Sequence, residues 1–359
     1  MKISRVLIVI VAIIVIAIVG LYAYETLFIS TPSKWNSAAQ YPLSVGGSYG
    51  TGGQACVNSS AYIYCIGGED LNNAPRNTVY SSNPLSPSSV DISSWTTDSS
   101  VYPQDIFGQS CVVFSGSVYC VGGINDDALD NTASSYFASL SNGIVGPWNS
   151  TTPYPIPVDT QSCVTSSAYI YCVAGNNQTA GSTTAATNST SAWYAPISNS
   201  GIGKWALTKS YPDIFYPICY TALGNIYCIG GVNPNDTPSN SVYYASLSSS
   251  GVGSWTQTTA YPVAASGESC VIVSSTIYCV GGEVNSNTYV NSVYYASVSS
   301  SGIGAWNKGS FYPDGVTTSC SLISGIMYCV AGFDASSSGY TSEVNYLSLI
   351  DVAGTSTTT

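Results

Sequence analysis

Few residues in this chain are able to do chemistry. Its 359 residues include no histidine, seven Lys and Arg, and 18 Asp and Glu, for a net charge of −11. Without imidazole, Ser-His-Asp and Cys-His catalysis and His-ligated zinc or copper are excluded. Nucleic acid is excluded as a partner as well, because its binding needs a cationic surface. Carboxylates therefore remain as the acid–base groups of any active site.

Five acids stand at similar places in the sequence, each between a Tyr-Pro pair and a following cysteine. These five are the candidate ligand-binding acids Asp105, Asp159, Asp213, Glu268 and Asp314. Aromatic residues of the same segments are candidates for ligand contacts or for stacking on sugars, namely Phe107, Phe215 and Tyr216. Acids at loop positions also act as solvated charges or turn caps, so the pattern leaves a purely structural role open.

The twelve cysteines form six pairs, each spaced Cys-x8-Cys. An even count in fixed pairs predicts disulfides in an oxidising compartment. Zinc is a weaker interpretation, because zinc sites favour shorter spacings and often include histidine. The predicted disulfides are Cys56–Cys65, Cys111–Cys120, Cys163–Cys172, Cys219–Cys228, Cys270–Cys279 and Cys320–Cys329.

The cysteine pairs mark a repeat, since the first cysteines of successive pairs lie between 50 and 56 residues apart. Each unit contains three apolar or aromatic strand patterns, then a Trp, then a segment ending in Tyr-Pro. Repeats of this length are typical of propellers and solenoids. The Trp and Tyr-Pro marks recur six times, which predicts six four-stranded sheets. The marks are Trp35, Trp95, Trp148, Trp205, Trp255 and Trp306, and the pairs beginning at Tyr41, Tyr102, Tyr154, Tyr211, Tyr261 and Tyr312.

The cysteine spacing also predicts a register. If Cys111 faces Cys120, then Ser115 and Gly116 form a two-residue turn, which is the commonest hairpin connection. Opposed residues at a non-hydrogen-bonded pair lie close enough for a disulfide. Each disulfide should therefore join the first two strands of its own sheet.

The units resemble kelch repeats, in which an apolar strand leads into a diglycine, followed by a Tyr and then a Trp. Four units have the diglycine, and two depart from it with Ala174-Gly175 and Ala331-Gly332. The resemblance implies an all-β, six-bladed kelch-like β-propeller. The diglycines are Gly67-Gly68, Gly122-Gly123, Gly230-Gly231 and Gly281-Gly282.

The ends of the repeat array predict how the ring closes. The last unit stops after its third strand at 344–349, while residues 35–42 supply a Trp and a Tyr-Pro without earlier strands. We therefore expect the N-terminal strand to complete the last blade, which covers the open edges. On this topology, the candidate acids and aromatics lie on the face that carries the 2–3 and 4–1 loops. That face should be acidic and should attract cations, amines or basic partners. The aromatics there could equally plug the channel.

The N-terminus predicts a membrane anchor. Lys2 and Arg5 precede a charge-free run over 6–24, long enough to cross a bilayer as a helix. The positive-inside rule places the N-terminus in the cytoplasm and the propeller outside. A cleaved signal peptide is the alternative, although no clear cleavage pattern is present. The expected division is a transmembrane signal-anchor at 1–25, a linker at 26–34, the propeller at 35–350 and a disordered tail at 351–359. The short linker should turn the opposite face, with the 1–2 and 3–4 loops, toward the membrane.

Export also makes the N-x-Ser/Thr sequons candidate glycosylation sites, although some arise by chance in such a composition. They are Asn58, Asn149, Asn177, Asn188 and Asn235. No cofactor is expected, and a calcium site among the carboxylates has poor support, because no EF-hand spacing is present.

The sequence favours a non-enzymatic surface propeller that binds an extracellular protein or glycan through its acidic loop face. The alternative is an extracellular glycan-active enzyme with paired carboxylates. The sequence leaves the ligand and the oligomeric state open.

Overall fold

In a computed structural model of the chain, the residues described below are 34–42, 53–70, 74–84, 91–125, 130–177, 189–212, 214–285, 288–334 and 339–349. These residues form β-strands and turns without an α-helix. In chain order the strands are β1 (Asn36–Ser37), β2 (Ala55–Ser59), β3 (Tyr62–Ile66), β4 (Val79–Ser82), β5 (Thr96–Thr97), β6 (Ile106–Phe107), β7 (Ser110–Phe114), β8 (Ser117–Val121), β9 (Ile124–Asn125), β10 (Ser135–Ser141), β11 (Ile144–Val145), β12 (Asn149–Ser150), β13 (Ser162–Ser166), β14 (Tyr169–Val173), β15 (Ala192–Ser198), β16 (Gly201–Ile202), β17 (Ala206–Leu207), β18 (Ile218–Ala222), β19 (Asn225–Ile229), β20 (Val242–Ser248), β21 (Gly251–Val252), β22 (Thr256–Gln257), β23 (Ser269–Val273), β24 (Thr276–Val280), β25 (Glu283–Asn285), β26 (Thr288–Tyr289), β27 (Val293–Ser299), β28 (Gly302–Ile303), β29 (Asn307–Lys308), β30 (Val316–Ile323), β31 (Ile326–Asp334) and β32 (Gly339–Ser348).

Six antiparallel sheets form the blades of a propeller, as the repeat predicts. In most blades the fourth strand is broken into two short pieces that both pair with the third strand. Two small extra sheets, β6-β9 and β25-β26, lie in the loops. The blades are blade 1 (β2-β3-β4-β5), blade 2 (β7-β8-β10 with β11 and β12), blade 3 (β13-β14-β15 with β16 and β17), blade 4 (β18-β19-β20 with β21 and β22), blade 5 (β23-β24-β27 with β28 and β29) and blade 6 (β30-β31-β32 with β1).

The ring closes between the two ends of the chain. Asn36 pairs with Tyr346 and Ser37 with Asn345, so β1 is the outer strand of blade 6. The Ala38 amide also donates to the carbonyl of Val344 at 2.8 Å. The predicted closure of the last blade by the N-terminal strand is therefore confirmed.

The six disulfides are confirmed too, with one in each blade. The register in blade 2 is the predicted one, with Cys111 opposite Cys120 and Phe114 opposite Ser117. The intervening residues Ser115 and Gly116 both have positive φ angles, 48° and 75°. A tight hairpin turn of the primed type requires that conformation, which is why a glycine suits the second position.

The Trp and Tyr-Pro marks form a belt around the ring. Each Tyr ring meets the Trp of the next blade edge to face, with centroids 4.8–5.0 Å apart. Each indole N–H also donates to a main-chain carbonyl of the preceding blade at 3.2–3.4 Å. The pairs are Tyr41–Trp95, Tyr102–Trp148, Tyr154–Trp205, Tyr211–Trp255, Tyr261–Trp306 and Tyr312–Trp35.

Hydrophobic packing lies between blades rather than at the axis. Each of the six core clusters in the described chain joins two neighbouring blades. On the face with the 1–2 and 3–4 loops, a buried Tyr in the second strand is bonded to the next blade. The Tyr119 hydroxyl, for example, donates to the Ser198 carbonyl at 2.8 Å. The axis is thus left as a channel lined by the first strands.

The expected signal-anchor at 1–25 and tail at 351–359 lie outside the described residues, as does the expected linker at 26–34 apart from its last residue, Lys34. Among the residues that are described, no helix is long and apolar enough to cross a membrane.

Candidate functional site

The channel widens into a cavity of about 420 Å³ at its upper end, on the face that carries the 2–3 and 4–1 loops. We call this space the upper cavity. Every blade supplies to its wall the residue three positions before the first cysteine. These residues are Gly53, Gly108, Thr160, Tyr216, Gly267 and Thr317. A second space of about 400 Å³, the lower cavity, opens beyond the disulfides toward the 1–2 hairpins.

Small residues at these wall positions keep the upper cavity open. Three of them are glycines with φ near +70°, and main-chain hydrogen bonds connect consecutive loops around the wall. The Gly108 amide donates to Gly53, and the Thr160 amide donates to Gly108, both at 2.9 Å. The shape of the site therefore follows from left-handed loop conformations that glycine adopts without strain.

Thr160 and Tyr216 adopt the same left-handed conformation without being glycine, with φ angles of 53° and 54°. This backbone is unfavourable for L-residues, and most of all for a β-branched one such as Thr160. Strained residues held by their surroundings cluster at binding and catalytic sites. Since Tyr216 is also the one aromatic residue among these six wall positions, the pair marks the blade 3–blade 4 side as the distinctive part of the cavity.

Below these loops, the polar side chains of the cavity wall form hydrogen bonds that connect neighbouring blades. Serines directly before the cysteines accept main-chain N–H bonds from the next blade. One example is Ser110, whose hydroxyl oxygen accepts from the Cys163 amide at 3.0 Å. Ser162, Ser269 and Ser319 make the equivalent contact. In blade 4 the Tyr220 hydroxyl takes this role for the Cys270 amide at 2.6 Å.

Two residues before the first cysteine, three blades carry a glutamine that forms a hydrogen bond with the preceding blade. The side-chain amides of Gln54, Gln109 and Gln161 donate to main-chain carbonyls at 3.0, 2.8 and 2.5 Å. Blade 5 has Glu268 at this position, and blade 4 has Pro217. Glu268 is only 1% exposed, and neither of its oxygens has a hydrogen-bond partner. Burial raises the pKa of Glu268 to about 8.

The candidate acids occupy different environments and do not converge. Glu268 contributes to the cavity wall. Asp159 lies behind Thr160, is 5% exposed and accepts a hydrogen bond from Asn131 at 2.8 Å. Burial raises the pKa of Asp159 to about 6, against the opposing effect of its hydrogen bonds. The half-buried Asp105 and Asp314 are not on the cavity wall, and Asp213 lies outside the described residues.

The candidate aromatics also separate. Tyr216 faces the cavity, and burial followed by the carboxylates of Asp159 and Asp236 raises its pKa to about 12. Phe107 instead packs beside Gly53, and Phe215 pairs with Val232 through the main chain.

A second aromatic group lies on the same face, where β31 and β32 continue as a hairpin above blade 6. Phe333 contacts Tyr340, with ring centroids 4.2 Å apart, and Tyr289 stacks on Phe333 at 6.1 Å. The Tyr340 hydroxyl donates to Glu69 of blade 1 at 2.6 Å. This group therefore packs over the closure of the ring.

Most acids of the described chain lie in the upper loops, although Asp91 lies in the 3–4 loop of blade 1 and Asp98 directly follows its outer strand. Glu69, Asp236 and Glu283 lie in the upper loops, where Arg76 pairs with Asp70. The lysines are exposed on or beside the outer strands, and they are Lys34, Lys204, Lys209 and Lys308. The described residues contain no cluster of three or more carboxylate, Cys or His side chains that could hold a metal ion.

The candidate glycosylation sites also differ in accessibility. Asn149 and Asn235 are exposed, and Asn235 accepts a 2.7 Å hydrogen bond from the threonine hydroxyl of its own sequon. Asn58 is exposed too and lies on the wall of the lower cavity, whereas Asn177 is half-buried. Asn188 lies outside the described residues.

Six blades, one disulfide in each and a channel along the axis define the chain as a six-bladed β-propeller. No protein-family model and no curated protein matches it. Among solved structures, 682 chains match in fold. One of them, described as "Structure of YjhT", superposes with a TM-score of 0.67 at 11% identity, over 85% of this chain and 95% of that one. At this identity the likeness shows the fold alone.

Proposed function

We propose that the chain is a kelch-type propeller, anchored by its N-terminal segment at the cell surface, which binds an extracellular protein or glycan through its upper face. The observation that carries the proposal is the upper cavity, a space of about 420 Å³ formed by loops from all six blades. Ligand sites of proteins are usually concave and carry a few placed polar groups that fix the orientation of the ligand.

Two features of the cavity support binding over carboxylate catalysis. Glycosidases place two carboxyl groups across one cleft, roughly 5–9.5 Å apart. In the described chain, Glu268 is the one carboxyl among the residues on the cavity wall. The strained Tyr216 presents instead an aromatic ring with a hydroxyl, which is suited to stacking on a sugar or contacting a peptide.

The compartment is supported by the six disulfides, which persist in oxidising surroundings. The closure by β1 supports the orientation, because the described segment that contains β1 begins with Lys34 on the side opposite the upper cavity. The acidic upper loops would then face outward and favour basic groups on a partner.

Screening the purified full-length protein against immobilised glycans and basic peptides tests this function. We expect Tyr216→Gly, which matches the glycine of three other blades, to keep or raise stability and to weaken binding at least about tenfold, equivalent to about 1.4 kcal/mol. Ile144→Ser is the control, because Ile144 is exposed on the opposite face. The proposal fails if the arrays show no binding, or if Tyr216→Gly and Ile144→Ser bind as the wild type does.

A further inference from the structure

Blade 5 departs from a contact that recurs between blades. In blades 1, 2 and 3 a glutamine amide donates to the carbonyl that follows the second cysteine of the preceding blade. The three contacts are Gln54 to Val330, Gln109 to Ile66 and Gln161 to Val121. The corresponding carbonyl for blade 5 belongs to Ile229 of blade 4. Each amide N–H therefore joins two blades beside the channel.

Glu268 puts an oxygen where the glutamines put their amide nitrogen. A Cβ built on Gly67 or Gly122 would lie 2.8 Å from the amide nitrogen of the next blade's glutamine. A Cβ built on Gly230 would also meet the end of the side chain, approaching Oε1 of Glu268 still more closely. If Glu268 takes the place of the glutamines, its oxygen is directed at the carbonyl of Ile229, and an ionised carboxylate there would bring two hydrogen-bond acceptors together. Only the protonated acid has a hydrogen to donate there.

The surroundings of Glu268 compensate a negative charge only in part, because a contact with its own main chain lowers the pKa of the carboxyl and burial outweighs that effect. The titratable groups around it are the phenols of Tyr211, Tyr220 and Tyr261, and burial raises the pKa of each, so they stay neutral. The next acid of blade 5, Glu283, pairs through its main chain with the loop that carries Glu268. The one ion pair in the described chain, between Arg76 and Asp70, lies in blade 1. A charge buried without a partner is costly, which favours the neutral acid.

We propose that Glu268 is held as a neutral carboxylic acid whose hydroxyl donates to the main chain of blade 4, making a contact between blades 4 and 5 that breaks when the acid ionises. This pH-sensitive latch lies on the wall of the upper cavity, so ionisation also puts a negative charge beside the site. The inference does not rest on the proposed binding function, because it concerns contacts within the chain.

The direction of the pH effect follows from linkage. Burial raises the pKa of Glu268 in the folded chain to about 8, and an unfolded Glu titrates near about 4.3. The folded state therefore holds the proton over a range in which the unfolded state has lost it. The contribution to stability is complete below about pH 4, declines as the pH rises and is lost by about pH 8.

Thermal unfolding of the full-length protein between pH 5 and pH 9 tests the latch with a reciprocal pair of variants. Glu268→Gln supplies the permanent amide donor of the other blades, so its melting temperature should exceed that of the wild type at pH 9 by at least about 3 °C and differ little at pH 5. Gln161→Glu should show a new fall in melting temperature between pH 5 and pH 9, the fall that Glu268→Gln removes from the wild type. Asp236→Asn, at an exposed acid of the same face, should follow the wild type.

The latch is refuted if Glu268→Gln keeps the pH dependence of the wild type, or if Gln161→Glu acquires none. Infrared difference spectra between pH 6 and pH 9 provide a readout that does not depend on how the variants fold. Because Asp159 also holds part of its proton near pH 6, the informative signal is the part of the protonated-carboxyl band that the wild type shows at pH 6, loses by pH 9, and Glu268→Gln lacks. An absent band at pH 6, or an identical band in a folded Glu268→Gln, would also overturn the proposal.

Discussion

The outer belt and the channel wall are built from the same six repeats, but the belt is nearly identical in every blade and the channel wall differs from blade to blade. In the belt, all six Tyr–Trp pairs have nearly the same geometry, with centroids within 4.8–5.0 Å. At the upper cavity the equivalent positions differ between blades, with glycine in three of them and Thr160, Tyr216 and Thr317 in the others. Uniform positions hold the ring together, and unequal positions give one side of the cavity its own chemistry.

The largest loss of stability is expected in blade 6, where the belt residue Trp35 belongs to the segment that closes the ring. Trp35 is 6% exposed, and its blade is completed by the short pairing of β1. Trp35→Ala should cost roughly 3–5 kcal/mol, the usual loss for a buried aromatic, measured as a lower midpoint of urea unfolding.

The matched control is Trp205→Ala, at a Trp that is 7% exposed in blade 3. The outer strand of blade 3 follows the third strand of its own blade in the sequence, whereas β1 pairs with β32 from the other end of the described chain. We expect Trp35→Ala to be the more destabilising of the two and to expose 34–42 to proteolysis. Equal losses would show that the closure is no weaker than the other blade contacts.

Removing one disulfide should lower the free energy of unfolding by less than Trp35→Ala does. Cys111 and Cys120 close a loop of ten residues, and the loop-entropy model assigns such a disulfide roughly 2.5–3 kcal/mol. The double variant Cys111→Ala/Cys120→Ala should therefore fold and unfold cooperatively at a lower urea concentration. Failure to fold would show that the disulfides define the blades, against the view that blade packing does.

Much of this framework is predictable from sequence because its signals repeat. The Cys-x8-Cys spacing allows a two-residue hairpin turn, and the register of Cys111 with Cys120 follows. The unpaired third strand at one end and the isolated Trp35 at the other predict the closure. The register follows from a spacing that recurs six times, and the closure follows from the two incomplete units of the repeat array.

The site is less predictable because its geometry depends on neighbouring blades. Residue type does not reveal that Thr160 adopts a glycine-like backbone, since Thr usually avoids it. The burial of Glu268 arises between blades, against the space left by Gly230. Aligning the repeats on their cysteines would have shown both departures, Thr where three blades have Gly and Glu where three blades have Gln.

The first glycine of the diglycine tests how closely blades pack beside the channel. Gly122 has φ of +65°, and an added Cβ would meet the main-chain carbonyl of Val158 in the next blade. Gly116, in the hairpin turn, has φ of +75° with nothing within 4 Å of that position. Gly122→Ala should cost about 2 kcal/mol more than Gly116→Ala, because only the former adds steric conflict to backbone strain. Equal costs would mean that the blades shift apart freely.

The smallest expected change in stability comes from relieving backbone strain at the cavity wall. Its sign should differ between Thr160 and the equivalent Thr317. Thr160→Gly should raise the free energy of unfolding by about 0.5–1 kcal/mol, because glycine adopts φ of +53° without the penalty that Thr bears. Thr317 occupies the equivalent position in blade 6 within β30, with no positive φ. Thr317→Gly should therefore lower stability, since glycine weakens a strand. Urea unfolding of both variants measures the difference. If Thr160→Gly is destabilising as well, the contacts of the Thr160 side chain compensate for its left-handed backbone. The residue then stabilises the ring, as the residues of the belt do.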